Sequence, residues 1–302
     1  MITLAVTTSV QAELKGKIAF TKSDGLYVMD AVGGPDSPIV SATDIGTPSW
    51  SLNGEWITFA MGGGLGGPSD IYVIRPDGSG LRNVTPKGSG YYVEPSFSPD
   101  GSQITFCGPD GSALYIINTD ADGQTPPTRL PVDGSFPHWS PLGDKILYSN
   151  WGRTYESDLL LYDLDTSTLN NITNDHQGYV LAEWSPDAKK LAGFCSWPDG
   201  RLDDIFVMDA DGSNLDIISA PWSSSNECYP TWSSDGQYIV FTSDRSGNGN
   251  WDIRYTRVDN WDPMNIPDSP ENEYLLPAIG VPEPATLLLL GLGGLVLRSR
   301  RK

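Results

Sequence analysis

One pattern recurs five times along this chain of 302 residues: an aromatic anchor, a serine, a turn, then an apolar strand. The copies begin at Pro48-Ser49-Trp50-Ser51, Pro95-Ser96-Phe97-Ser98, Pro137-His138-Trp139-Ser140, Ala182-Glu183-Trp184-Ser185 and Pro230-Thr231-Trp232-Ser233. The anchors Trp50, Phe97, Trp139, Trp184 and Trp232 lie 47, 42, 45 and 48 residues apart. A period of this size marks an architecture in which one unit cannot bury its own faces and must stack on its neighbours.

Each unit reads as four strands. The anchor segment is the first. A turn follows, as in Ser98-Pro99-Asp100-Gly101, where Asp-Gly supplies the backbone angles of a tight hairpin. Alternation such as Ile104-Thr105-Phe106 gives the second strand. Segments such as Asp204-Ile205-Phe206-Val207-Met208 give the third, and a second Asp-Gly turn leads to a short fourth. Lys17-Ile18-Ala19-Phe20 and Leu26-Tyr27-Val28-Met29-Asp30 match the second and third strands of a sixth unit whose first strand is missing. The expected fold is all-β, a six-bladed β-propeller over residues 13–258. Its ring is closed either by Tyr274-Leu275-Leu276 in the first blade or by Glu13-Leu14 in the last, and 259–280 reads as linker with room for such a closing strand.

The repeats resemble the TolB-type propeller repeat, in which P-x-W-S-P-D-G is followed by I-x-F, I-Y-V-M-D and D-G. Pro95 to Phe106 and Ile205 to Gly212 are the nearest copies, and the resemblance covers about Lys15 to Arg257. Blade five departs from it, with Ala182 for Pro, Ala188 for Gly and Gly193 for the aromatic. The separate N-terminal domain of TolB has no counterpart here, so the resemblance implies the fold and not TolB's role in the cell envelope.

Composition narrows the function. Lys+Arg 19 against Asp+Glu 38 gives a net charge of −19, which repels nucleic-acid phosphate. Aromatic content of 10% excludes a disordered acidic chain, and 33 Gly with 24 Pro exclude a long coiled coil.

The two ends read as addresses. Residues 1–12, MITLAVTTSVQA, are apolar and small, and Val10-Gln11-Ala12 resembles a signal-peptidase site. The segment lacks a basic start and is read as a truncated signal peptide, or else as a hydrophobic tail. At the other end, Val281-Pro282-Glu283-Pro284 precedes an apolar run to Leu297 and the basic Arg298-Ser299-Arg300-Arg301-Lys302. The stretch from Ala285 to Leu297 would span roughly 20 Å as a short hydrophobic helix, with its cations held on the cytoplasmic side. This order over 281–302 resembles the PEP-CTERM sorting signal, with Pro282, Glu283 and Pro284 as its motif. The resemblance implies an exosortase-type protease as partner, cutting near Pro282-Glu283-Pro284. It also implies a transient inner-membrane anchor and delivery to the cell surface or extracellular matrix, the membrane being met only through this segment before processing.

Candidate ligand residues gather on the face formed by the inter-blade links and the loops between strands two and three. They are Tyr91, Tyr92, Trp151, Tyr155, His176, Tyr179, Trp197, Arg201, Trp222, Asp244 and Arg245. Flat rings beside carboxylates and guanidinium groups suit sugar recognition, and packing between blades is the competing explanation. Asn118 to Gly123 opens like a calcium loop, but Arg129 stands where its acidic twelfth ligand belongs, so a hairpin turn is expected and no cofactor beyond a Ca2+ option. Asp70, Asp158, Asp204 and Asp252 recur before strand three and read as loop caps. His138, beside an anchor, is expected to point to the channel or a neighbouring blade, and no G-x-S-x-G elbow occurs. In an oxidising compartment Cys195 and Cys228 are expected to pair, leaving Cys107.

These features favour an exported, non-enzymatic binding or scaffold protein whose partner is an extracellular polysaccharide or an envelope protein. The alternative is an extracellular carbohydrate-active lyase or hydrolase using two acids on the aromatic face.

Overall fold

The computed structural model describes residues 14–62, 67–88, 90–109, 112–150, 157–175, 177–196, 203–219, 225–244, 251–266 and 278–280. They form six four-stranded antiparallel sheets, the blades, numbered here in chain order. Blade three shows the plan: Val93–Phe97, Gln103–Gly108, Ala113–Asn118 and Thr128–Asp133, in sequence order across the sheet. Blades two, four, five and six repeat it. Blade one takes its second to fourth strands from the N-terminus, and its inner strand is Ala278–Gly280, antiparallel to Lys17–Lys22.

Period-two alternation explains why the sheets form a ring. Along Lys17–Lys22, Ile18 and Phe20 face one neighbour and Ala19 the other, and all three are fully buried. The core is six clusters, each shared by two blades. Trp50 packs on the cluster of blades one and two, Phe97 on two and three, Trp139 on three and four, Trp184 on four and five, and Trp232 on five and six. The anchors therefore occupy five equivalent seams. The sixth, between blades six and one, holds Ile18, Phe20, Tyr238 and Tyr255. There the register position of the anchor falls to Ile279, opposite Ile18, as Phe97 stands opposite Ile104.

The linker reading of 259–280 is corrected in part: Asn260–Asn265 is the outer strand of blade six. Pro263 hides it from a sequence reading, yet an edge position tolerates proline because one side of the strand has no partner. A closing strand does lie within 259–280, at Ala278–Gly280. Tyr274-Leu275-Leu276, Glu13, the N-terminal segment 1–12 and the C-terminal helix lie outside the described residues, while Leu14 is buried in the seam of blades six and one.

The recurrent turn is built by its serine. In blade three the Gln103 amide donates to Ser98 Oγ at 2.9 Å, the Ser98 hydroxyl donates to Asp100 Oδ1 at 2.7 Å, and Gly101 takes φ 71°. Ala188 holds the same place in blade five at φ 59°, where a Cβ is strained. The other departure of that blade is compensated. A Cβ on Gly193 would come within 2.6 Å of the Phe206 ring, so the missing aromatic on strand two is replaced by one from strand three, packed edge-on against Tyr179.

The aspartates before strand three act as clasps. Asp158 accepts from Asn171 Nδ2 at 2.8 Å and from the Thr173 hydroxyl at 3.2 Å, tying strand three to the segment after strand four. Asp70 with Asn83 and Asp204 with Ser219 repeat this. Asp122 accepts the amides of Gln124 and Thr125, as a turn residue does.

The expected Cys195–Cys228 disulfide is not formed: all three cysteines are buried thiols. Cys195 faces the seam of blades four and five, whereas Cys228 faces that of blades five and six. The sheet of blade five stands between them.

Two outcomes follow for the purified protein. Ala188→Gly should raise unfolding free energy by about 0.5–1 kcal/mol, and Gly101→Ala, whose Cβ meets nothing within 4 Å, should lower it by about 1 kcal/mol, both read from denaturant midpoints. Intact mass should be the same with and without reductant, and alkylation after unfolding should label all three cysteines.

Candidate functional site: an axial funnel

The inner strands carry a shared distortion. Register slips between Val93 and Ser96, Ser135 and His138, Val180 and Glu183, and Cys228 and Thr231. At each slip one residue has positive φ: Glu94 59°, Phe136 54°, Leu181 48° and Tyr229 54°. Each stands three residues before its anchor. Non-glycine residues in this region cost on the order of 1 kcal/mol apiece and persist only where surroundings hold them. Here the side chains supply the hold. Leu181, Phe136 and Tyr229 pack into one cluster, and Glu94 Oε2 accepts the Phe136 amide at 2.7 Å and the Cys107 thiol at 3.1 Å.

In these four blades the bulge leads to the residue before the anchor at the axis, and in blade two Ser49 reaches the same place without a recorded slip. Ser49, Ser96, His138, Glu183 and Thr231, each directly before its anchor, line a funnel together with the five anchors. The funnel opens at the end of the ring that carries the Ser-Pro-Asp-Gly turns, and its cavity is about 190 Å³. Among the described lining residues there is no lysine or arginine, and Glu183 is the one carboxylate.

His138 Nε2 and Glu183 Oε1 are 3.8 Å apart, beyond hydrogen-bond contact, and both side chains are largely buried. Burial pushes the Glu183 carboxyl from its ordinary 4.5 up to about 7, opposed in part by the Thr231 hydroxyl that donates to it. Burial pushes His138 from 6.5 down to about 4. Near neutral pH the histidine is uncharged and the carboxyl is close to its midpoint. The indole N–H of Trp232 donates to the Glu183 carbonyl at 3.3 Å. Those of Trp139 and Trp184 are buried without a partner among the described residues, an arrangement that costs about 1–3 kcal/mol each. Sequence reasoning placed His138 toward the channel or a neighbouring blade and missed the funnel as a site. The signal was the position before the anchor, which is a hydroxyl residue in three blades and titratable in two adjacent ones.

On the opposite face four of the expected ligand residues, Tyr91, Tyr92, Tyr179 and Asp244, lie among the described residues. Tyr92 is 5% exposed and sits edge-on to Phe106, and Tyr179 is 1% exposed with its hydroxyl donating to Asp175 at 3.0 Å, so both are core rings. Tyr179 opens the inner strand of blade five and Tyr92 directly precedes that of blade three, and the sequence does not distinguish an inward ring from a loop ring. Tyr91 is half-buried, its amide donating to the Pro109 carbonyl. Asp244 braces a loop by accepting the Asn226 amide at 2.8 Å and Nδ2 at 2.9 Å. Trp151, Tyr155, His176, Trp197, Arg201, Trp222 and Arg245 lie outside the described residues.

The buried pair has a pH signature. Between pH 4.5 and 7 the folded state keeps a Glu183 proton that the unfolded chain releases, so this group's stabilisation is lost as pH rises through 7. His138 acts in the other direction, costing stability as pH falls from 6.5 to 4. Glu183→Gln removes only the first effect. Its melting temperature should exceed that of the parent at pH 8 and approach it at pH 5, as measured by calorimetry across that range.

Comparisons with known proteins agree with this geometry. A TolB beta propeller domain model matches residues 134–255, and a PEP-CTERM protein-sorting motif model matches residues 280–302. An uncharacterized protein of Agrobacterium fabrum is 25% identical over 240 residues, 75% of this chain and 80% of its own. The crystal structure of TolB from Acinetobacter baumannii superposes with a TM-score of 0.72 at 21% identity, covering 87% of this chain and 66% of that one. An oligogalacturonate lyase superposes with a TM-score of 0.52 at 16% identity, covering 83% and 74%. The motif marks the chain for export and for membrane-linked sorting by exosortase-type machinery. With six closed blades, the recurrent anchor and the terminal motif, the chain is a six-bladed β-propeller of TolB type that carries a C-terminal PEP-CTERM sorting signal.

Proposed function

We propose that this propeller works at the cell surface as a non-enzymatic binding protein and receives its ligand in the axial funnel. The carrying observation is the convergence of five aromatic anchors on one narrow cavity where, among the described residues, burial disfavours the charged forms of one histidine and one carboxyl. Ring faces stack on flat or puckered rings, and the hydroxyls of Ser49, Ser96 and Thr231 offer hydrogen bonds. A chain of net charge −19, with no lysine or arginine among the described funnel residues, suits a neutral saccharide end or an uncharged peptide segment and disfavours a polyanion. Until its tail is processed, the protein sits on the outer side of the inner membrane with its C-terminus in the cytoplasm.

The carbohydrate-active alternative draws on the likeness to an oligogalacturonate lyase, which is one of fold. A lyase acting on an acidic sugar polymer has cations to gather, and the funnel offers none among its described residues.

Glycan and peptide arrays probed with the full chain test the proposal, with tryptophan fluorescence as a solution readout because four indoles line the funnel. Trp184→Ala should weaken the bound class by about tenfold or more, while Trp197→Ala, in a segment that the sequence reading assigns to the opposite face, should leave it unchanged. The reverse pattern would move the site to the loop face.

A further inference from the structure

We infer that Ala278–Gly280 serves two partners in turn: blade one, as its inner strand, and the sorting protease, as the upstream part of the sequence it cuts. The strand pairs Ala278 with Ala19, Ile279 with Ile18 and Gly280 with Lys17. The sorting-motif match begins at Gly280, the last of these paired residues, and Pro282 follows two positions later. No spacer separates fold from signal. In blade three the anchor Phe97 is followed, after Ser98, by the turn residues Pro99, Asp100 and Gly101. In blade one the same positions after Ile279 are Val281, Pro282 and Glu283. The sorting motif therefore starts where every other blade makes its first hairpin turn, at the funnel end of the ring.

A protease reads its substrate as an extended strand, through backbone hydrogen bonds to residues on both sides of the bond it cuts. Pro282 and Pro284 have no N–H to give, so the pairing falls on their neighbours. Upstream, those neighbours are Ala278 to Val281. Three of them are already paired with Lys17, Ile18 and Ala19. The strand also runs between the inner strands of blades two and six, Ser49–Trp50 and Glu227–Trp232, which stand where the walls of an enclosing cleft would have to go. One backbone cannot satisfy the sheet and the cleft at once.

The chemical step is acyl transfer. The peptide bond near Pro282–Pro284 breaks, its carbonyl carbon passes to water, and the released amine leaves on the apolar tail with the proton that water gives up. The docked ring withholds the upstream half of this substrate. Processing then draws on the fraction of chains whose closing strand has not docked or has come away, and its rate follows that fraction.

The test is a pulse–chase of the full chain in a host carrying the sorting protease, comparing the parent with a variant in which six Gly and Ser residues are inserted between Gly280 and Val281. The insertion leaves the closing strand and the run from Val281 to Lys302 intact, sets Gly and Ser upstream of Pro282 in place of the docked Ala278–Gly280, and gives the motif about 20 Å of free chain. The variant should be processed at least about fivefold faster, with the melting temperature of the purified unprocessed chain unchanged. Processing at the parental rate, or slower, at an unchanged melting temperature would overturn the inference.

Discussion

A ring from the inner strand of one blade lies against the sheet of the blade before it, and this contact makes six thin sheets into one body. A four-stranded sheet alone leaves both faces wet. Stacking in a circle buries each face twice over, and the wedge between inner strands must be filled by something large. Trp50, Phe97, Trp139, Trp184 and Trp232 fill five such wedges, each in its own cluster. The contact is non-directional and rests on area, which is why Phe serves at one place and Trp at four.

The same wedge concentrates cost at the axis. The inner strands bend through residues with positive φ, two indole N–H groups are buried without partners among the described residues, and a histidine and a carboxyl are stripped of water. None of these stabilises the fold. They persist because the seams on either side over-determine the inner strands. Strained backbone and displaced pKa values often mark where a protein does its work, and four strained inner-strand residues, Glu94, Phe136, Leu181 and Tyr229, stand beside this cavity.

The blades were legible because their signal is repetition of large residues at fixed spacing, which tertiary context does not overrule. Even blade five, with Ala188 and Gly193 out of pattern, keeps its place, since Phe206 crosses to fill the gap. Less was legible at the edges. Asn260–Asn265 lacks alternation and contains Pro263, and only an edge position makes it a strand. The site was harder still. Tyr92 and Tyr179 look like loop rings by their neighbours in sequence, but the direction of a side chain depends on a bulge of one residue that carries no glycine to announce it. The Cys195–Cys228 pairing failed for a related reason: placing two residues on adjacent blades does not say on which side of the intervening sheet each one lies.

The wheel is fastened by the last described stretch of chain, Ala278–Gly280. Lys17 waits for Gly280, so nothing synthesised earlier can complete the circle. A chain truncated before that point is left with a gap between its first and last blades.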